Sequence, residues 1–204
     1  MVGGFDIDEF DHLLRTARSV RRNLDFERTI PIEVIEACVD VAAQAPVSLA
    51  GENWRFLVID DVAKKAQVAQ LYRQCLEELL AARNVEMKST HRALIDRLHE
   101  IPAMILVCAI GSPGETEGQQ LAFYGSILPA AWSLMLALRA RDIGTTWTTL
   151  LSQRQDELRA LLNIPSTVTP TVMFPVGYMK GAKLKPAQRL PASELVVKND
   201  WGDE

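Results

Sequence analysis

A chain of 204 residues with 48% hydrophobic and 24% charged side chains has the make-up of one folded domain with a substantial core, and it contains no repeat, low-complexity tract or linker. The formal net charge of −4 excludes a chain-wide attraction to nucleic acid, so any basic site must be local. Cys38, Cys75 and Cys108 are odd in number, widely spaced and set in apolar runs, which argues against a disulfide framework and for a reducing, cytoplasmic setting.

The N-terminus M-V-G-G-F-D-I-D-E-F lacks the basic segment and apolar core of a signal peptide, so export is not expected. Ile7, Phe10, Leu13, Leu14 and Ala17 then recur at helical spacing, with Asp6 or Asp8 as a cap. This helix ends in R-T-A-R-S-V-R-R, Arg15 to Arg22. Two readings are open there. Cations favour the negative end of a helix dipole, and guanidinium forks beside a hydroxyl and free backbone donors also suit a phosphate monoester.

A second helix is predicted in I-P-I-E-V-I-E-A-C-V-D-V-A-A-Q-A-P, started by Pro31 and stopped by Pro46. W-R-F-L-V-I, Trp54 to Ile59, reads as a strand. Charged helices are expected over about 62–84 and 86–100, with His91 and His99 as solvated members. The continuous apolar run Ala103 to Ile110 reads as a central strand covered on both faces. The histidines lack any metal-binding spacing.

Residues 119–138 carry no charge and are long enough to cross a bilayer. Gly125, Ser126, Pro129 and Ser133 argue instead for a helix buried in a core or an oligomer interface, with no membrane role. This helix is expected to stop near Asp142. Beyond it come a strand over Thr145 to Leu150, a short helix capped by Ser152 and Gln155 and ending near Asn163, and a last strand over Thr171 to Tyr178. The order of elements gives one α+β domain over 1–204, with about 180–204 as an extended arm. Motifs for a nucleophilic serine, a P-loop or a dinucleotide fingerprint are absent, and no carboxylate pair stands out by spacing.

Taken in order, the helix ending R-S-V-R-R, the proline-led helix ending A-A-Q-A-P, the N-W-R-F-L-V-I strand, L-M-L-A-L-R-A-R-D-I-G-T-T-W, the L-N-I-P turn, the P-V-G-Y strand and the tail K-P-A-Q-R resemble the FMN-dependent nitroreductase family. The resemblance runs from about Leu14 to Trp201. It implies a three-layer sandwich with a mainly antiparallel central sheet flanked by helices, an intertwined homodimer, and FMN reduced by NAD(P)H and reoxidised by a nitroaromatic, quinone or related small-molecule acceptor. Related flavin chemistries in this fold include dehalogenation and enoate reduction, and a flavin-binding protein with little turnover is a further alternative.

By the same resemblance, Arg18, Ser19, Val20 and Arg21 fall on the stretch that holds the FMN phosphate, with Arg15 or Arg22 open as a substitute for the missing arginine and Lys185 and Arg189 joining from the tail. Pro46, Val47 and Ser48 match a loop that packs over the flavin from the partner subunit. Trp147, Thr148 and Thr149 match the strand end lying along the isoalloxazine ring. Phe123 and Tyr124 fall over the substrate pocket or, equally, in interface packing. The chain departs from the family pattern at Ala17, which stands for an arginine, at Ala50 in the cofactor-binding loop, which stands for an asparagine, and at Glu52 in the substrate pocket beside the cofactor, which stands for a glutamine. Asn53 stands where proline or glycine is common.

Overall fold

The computed structural model describes residues 6–47 and 51–201. Ser48 and Ala50 therefore lie outside the described residues. The first helix, α1, spans Ile7–Thr16 and is capped by Asp6, whose side chain accepts the Glu9 N–H at 3.0 Å. A two-residue strand, β1 (Leu24–Asp25), leads to α2 (Ile32–Ala42), with Pro31 immediately before its first turn. Strand β2 (Trp54–Ile59), helix α3 (Val62–Ala82), helix α4 (Ser89–Ile95) and strand β3 (Ala103–Ile110) follow. The long helix α5 spans Glu117–Arg139 and opens on a capping box formed by Thr116 and Gln119. The chain then forms β4 (Ile143–Thr145), α6 (Gln155–Leu162) and β5 (Val168–Met179).

All strand pairs are antiparallel, in the order β1-β5-β3-β2, with β4 also alongside β5. Strand β3 is covered on both faces, and its two-residue alternation sorts the core. Met104, Leu106 and Cys108 pack with α3, α4 and α6; Ala103, Ile105, Val107 and Ala109 pack with α2 and α5. Helix, sheet and helix thus form three layers.

Three expectations are corrected. The strand expected over Thr145 to Leu150 ends early. The pairing stays in register as far as Thr148 opposite Met173, but Pro175 faces Thr146 and has no N–H to return the bond that Thr146 donates to its carbonyl. The ladder is broken at that point, and Leu150–Arg154 winds into a 3-10 turn.

The capping box expected from Ser152 does not form. The α6 helix starts at Gln155, and Arg154 before it bridges Glu78 and Glu157. The single helix expected over 86–100 is α4 plus a 3-10 turn at Leu98–Glu100, because Asn84 in the left-handed region ends α3 and residues 85–88 are non-helical.

Helix α5 is long and apolar enough to cross a membrane by length and composition. Ile127, Ala131, Leu134 and Leu138 are buried against the sheet, while Leu121 is 76% and Trp132 40% exposed.

Candidate functional site

The arginine segment leaves α1 in extended conformation and is stitched to the strand end after β4. The Val20 N–H donates to the Thr145 carbonyl at 2.7 Å, the Thr146 hydroxyl donates to the Val20 carbonyl at 2.9 Å, and the Trp147 N–H donates to Ser19 Oγ at 3.2 Å. The last bond follows from alternation: Thr148 bonds to Met173 on β5, so the amide of Trp147 points the other way. Gly144 makes this closeness sterically feasible, since an added Cβ would lie 2.7 Å from Leu24 Cδ2 and 3.1 Å from Val20 Cβ.

Arg18 reaches across to the tail, where its Nη1 donates to the Lys185 carbonyl at 3.2 Å. Between these segments lies a cavity of about 560 Å³ lined by Leu14, Arg15, Ala17, Arg18, Ser19, Arg21, Pro186, Ala187 and Arg189. Among the described residues, four guanidinium groups line it and no carboxylate does. Arg21 Nε is buried and has no hydrogen-bond partner among the described residues. A buried, unpaired guanidinium N–H is costly unless an anion or a strong acceptor completes it, so this wall is chemically suited to a phosphate group.

Arg21 also lines a second cavity of about 500 Å³. Its floor is apolar, made by Tyr72, Leu76, Leu79 and Leu80 on one side of α3, and its wall is the strand end Trp147, Thr148 and Thr149. Trp147 is held by an edge-on contact with Phe174, centroids 5.5 Å apart. His91, on α4, faces this cavity with Nδ1 buried and unpartnered among the described residues. This corrects the reading of His91 as a solvated helix residue. Burial, and then the charges of Arg21 and Lys88, push its pKa below the ordinary imidazole value.

Of the residues singled out in the sequence, Arg18, Ser19, Arg21 and Arg189 converge on the first cavity, and Trp147, Thr148 and Thr149 on the second. Val20 is buried and acts through its backbone. Lys185 contributes a carbonyl to Arg18, and its own side chain does not line the cavity. Arg22 turns away and donates to Ser89 Oγ at 2.8 Å, so it is Arg15, not Arg22, that stands in the cavity beside Ala17.

Pro46, Val47 and Glu52 are exposed and line neither cavity. Phe123 and Tyr124 stack edge-to-face 5.3 Å apart on α5, on the sheet face opposite α3. Within one chain these residues are not brought to the arginines. Asn53, at one of the departures, has a buried Oδ1 without a partner among the described residues. Arg83, His91 and the α3 floor carry no local signal for this site, because they approach it only through packing.

The fold and the paired cavities define a class of protein, and the sequence agrees with it. The sequence model of the Nitroreductase family matches residues 14–178. The chain belongs to that family. It is 28% identical over 199 residues to iodotyrosine deiodinase of Nematostella vectensis, covering 93% of this chain and 74% of the relative. In structure it resembles oxidised iodotyrosine deiodinase bound to FMN and 3-iodo-L-tyrosine, with a TM-score of 0.70 at 23% identity over 93% of this chain and 98% of the other. It also resembles nitroreductase A of Vibrio parahaemolyticus, with a TM-score of 0.72 at 15% identity over 95% of this chain and 77% of the other.

Proposed function

We propose that this protein is an FMN-dependent oxidoreductase that uses NAD(P)H to reduce nitroaromatic, quinone or related electron-poor acceptors, and that it works in the cytoplasm as a homodimer. The observation that carries the reading is the pair of cavities joined by Arg21: a carboxylate-free guanidinium wall beside an apolar slot edged by the Trp147–Thr149 backbone. The donor set fits FMN. Arg15, Arg18, Arg21 and Arg189 would hold the phosphate, and the strand end at 147–149 would lie along the ring.

When bound, FMN supplies the two-electron chemistry, accepting a hydride equivalent from the nicotinamide and passing it to the acceptor. The chain's own part is to neutralise the phosphate, to fix the strand end through Ser19 and Val20, and to keep water from the apolar α3 floor. Residues Pro46, Val47, Phe123 and Tyr124 lie away from both cavities in one subunit, and a second copy is the natural way for them to complete the site. The buried free cysteines support the cytoplasmic assignment.

The purified protein should be yellow, and its flavin band should bleach when NADH or NADPH is added without oxygen. A colourless protein that takes up no added FMN overturns the reading. Reductive dehalogenation is the second reading, favoured by the likeness to iodotyrosine deiodinase in sequence and in fold. Iodide release from 3-iodo-L-tyrosine faster than reduction of any nitroaromatic or quinone in a panel would select it.

A further inference from the structure

The cavity beside Trp147, like its neighbour, has a charge opposite in sign to that of the chain as a whole. Across the whole chain acidic groups exceed basic ones, giving a formal net charge of −4. Yet the charged residues lining this cavity are Arg21 and Arg83, and no aspartate or glutamate is among its lining residues. Nearby, Glu78 on α3 is already engaged by Arg154, as is Glu157 on α6. Arg21 is shared with the neighbouring cavity, which leaves Arg83 and His91 on the side away from it.

Arg83 follows the last turn of α3 and is exposed, so its guanidinium is free to swing over the apolar floor. Among the described residues it has no ion-pair or hydrogen-bond partner for its side chain. His91 brings a half-buried ring whose Nδ1 also lacks a partner among the described residues. Buried polar atoms and cations left without partners in a pocket are completed by what enters it. The apolar floor asks for a flat hydrocarbon face, and the two unpartnered groups ask for an acceptor with negative charge.

We propose that the acceptor taken by this cavity is an aromatic compound carrying a carboxylate, and that Arg83 and His91 are the residues that select it. The proposal rests on the proposed function: the flavin ring lies along the Trp147–Thr149 strand end, and the acceptor takes the rest of the same cavity, over the α3 floor on the side of Arg83 and His91. Arg83 contributes long-range attraction and a forked hydrogen bond to the carboxylate, and His91 contributes a directed hydrogen bond from the more enclosed side. An aromatic ammonium compound meets the guanidinium groups of Arg21 and Arg83 and no carboxylate in the lining, and is rejected.

The test is calorimetric titration of the protein as purified with 4-nitrobenzoate, 4-nitrobenzamide and 4-nitrobenzylammonium, with NAD(P)H oxidation followed separately. The benzoate should bind at least tenfold more tightly than the neutral amide, and the ammonium compound more weakly than either. Arg83→Ala and His91→Gln should each reduce the benzoate preference several-fold while the amide affinity stays within twofold, and Arg83→Lys should restore part of it. Equal affinities for benzoate and amide, no measurable benzoate binding, or a preference that survives both substitutions would overturn the proposal. Failure of the oxidoreductase reading would show differently, as no NAD(P)H oxidation with any of the three compounds, since the binding preference is read without turnover.

Discussion

Arg15 supplies, two residues early, the guanidinium that Ala17 does not. Both line the first cavity, and the Arg15 pairing with Asp11 at 2.9 Å is solvent-exposed, so it holds Arg15 only weakly against a competing phosphate. Loss of a charge-assisted hydrogen bond costs about 1.5–3 kcal/mol, which is tenfold or more in affinity. Arg15→Ala should therefore weaken FMN retention by at least that factor, whereas Arg22→Ala, whose side chain is bonded to Ser89, should leave it within twofold; a fluorescence titration of free flavin separates the two.

His91 carries a second residue-scale prediction. Its folded-state pKa lies below the unfolded value, so as pH falls through the ordinary imidazole range the unfolded chain takes up the proton first and stability drops. Urea unfolding at pH 7 and pH 5 should show a smaller acid-side loss in His91→Gln than in the parent protein. Gly144→Ala should cost about 1–3 kcal/mol by overpacking, because Val20 Cβ, at 3.1 Å from the added methyl, belongs to a backbone-pinned segment and cannot simply rotate away. FMN retention should fall with it, since Val20 sits between Ser19 and Arg21.

The elements were legible wherever neighbouring residues alone decide them. Helix α1 follows its apolar spacing and its Asp6 cap, and β3 follows an unbroken apolar run with both faces covered. The start of α5 is likewise local: Thr116→Ala removes the side chain that receives the Gln119 N–H and should lower stability by about 1 kcal/mol, measurable as a shift in the urea midpoint. The strand end after β4 is decided by distant residues instead. Its β-branched threonines at 145, 146, 148 and 149 favour extension, and pairing with β5 reaches Thr148, but the ladder depends on Pro175, about thirty residues away, and no window around Thr146 contains it. Ser152 failed as a cap similarly, through the contact of Arg154 with Glu78 on α3.

At the scale of the whole molecule, one face of α5 remains uncovered. Leu121, Gly125, Leu128, Trp132 and Leu136 recur at helical spacing, and Leu121 and Trp132 are well exposed. The arm after β5 adds exposed Leu190, Leu195, Val196 and Trp201. Apolar area of this kind is what a subunit interface buries. The protein should accordingly sediment at twice its 22.7 kDa chain mass, and Leu121→Asp should shift it toward the monomer and reduce FMN retention with it.

The helices, the core strands and the family order of motifs can be read along the chain, because spacing, caps and apolar runs act over a few residues. Arg18, Arg21 and Arg189, which line the first cavity, stand in the sequence as separate clusters. Which arginines meet depends on how distant segments pack. The extended segment after α1 is fixed by bonds to Thr145, Thr146 and Trp147, and that geometry turns Arg15 and Arg21 into the cavity and Arg22 out toward Ser89. Arg83 and His91 were invisible for the same physical reason: their place in the site depends on how α3 and α4 pack against the sheet, and packing joins residues that no local pattern connects.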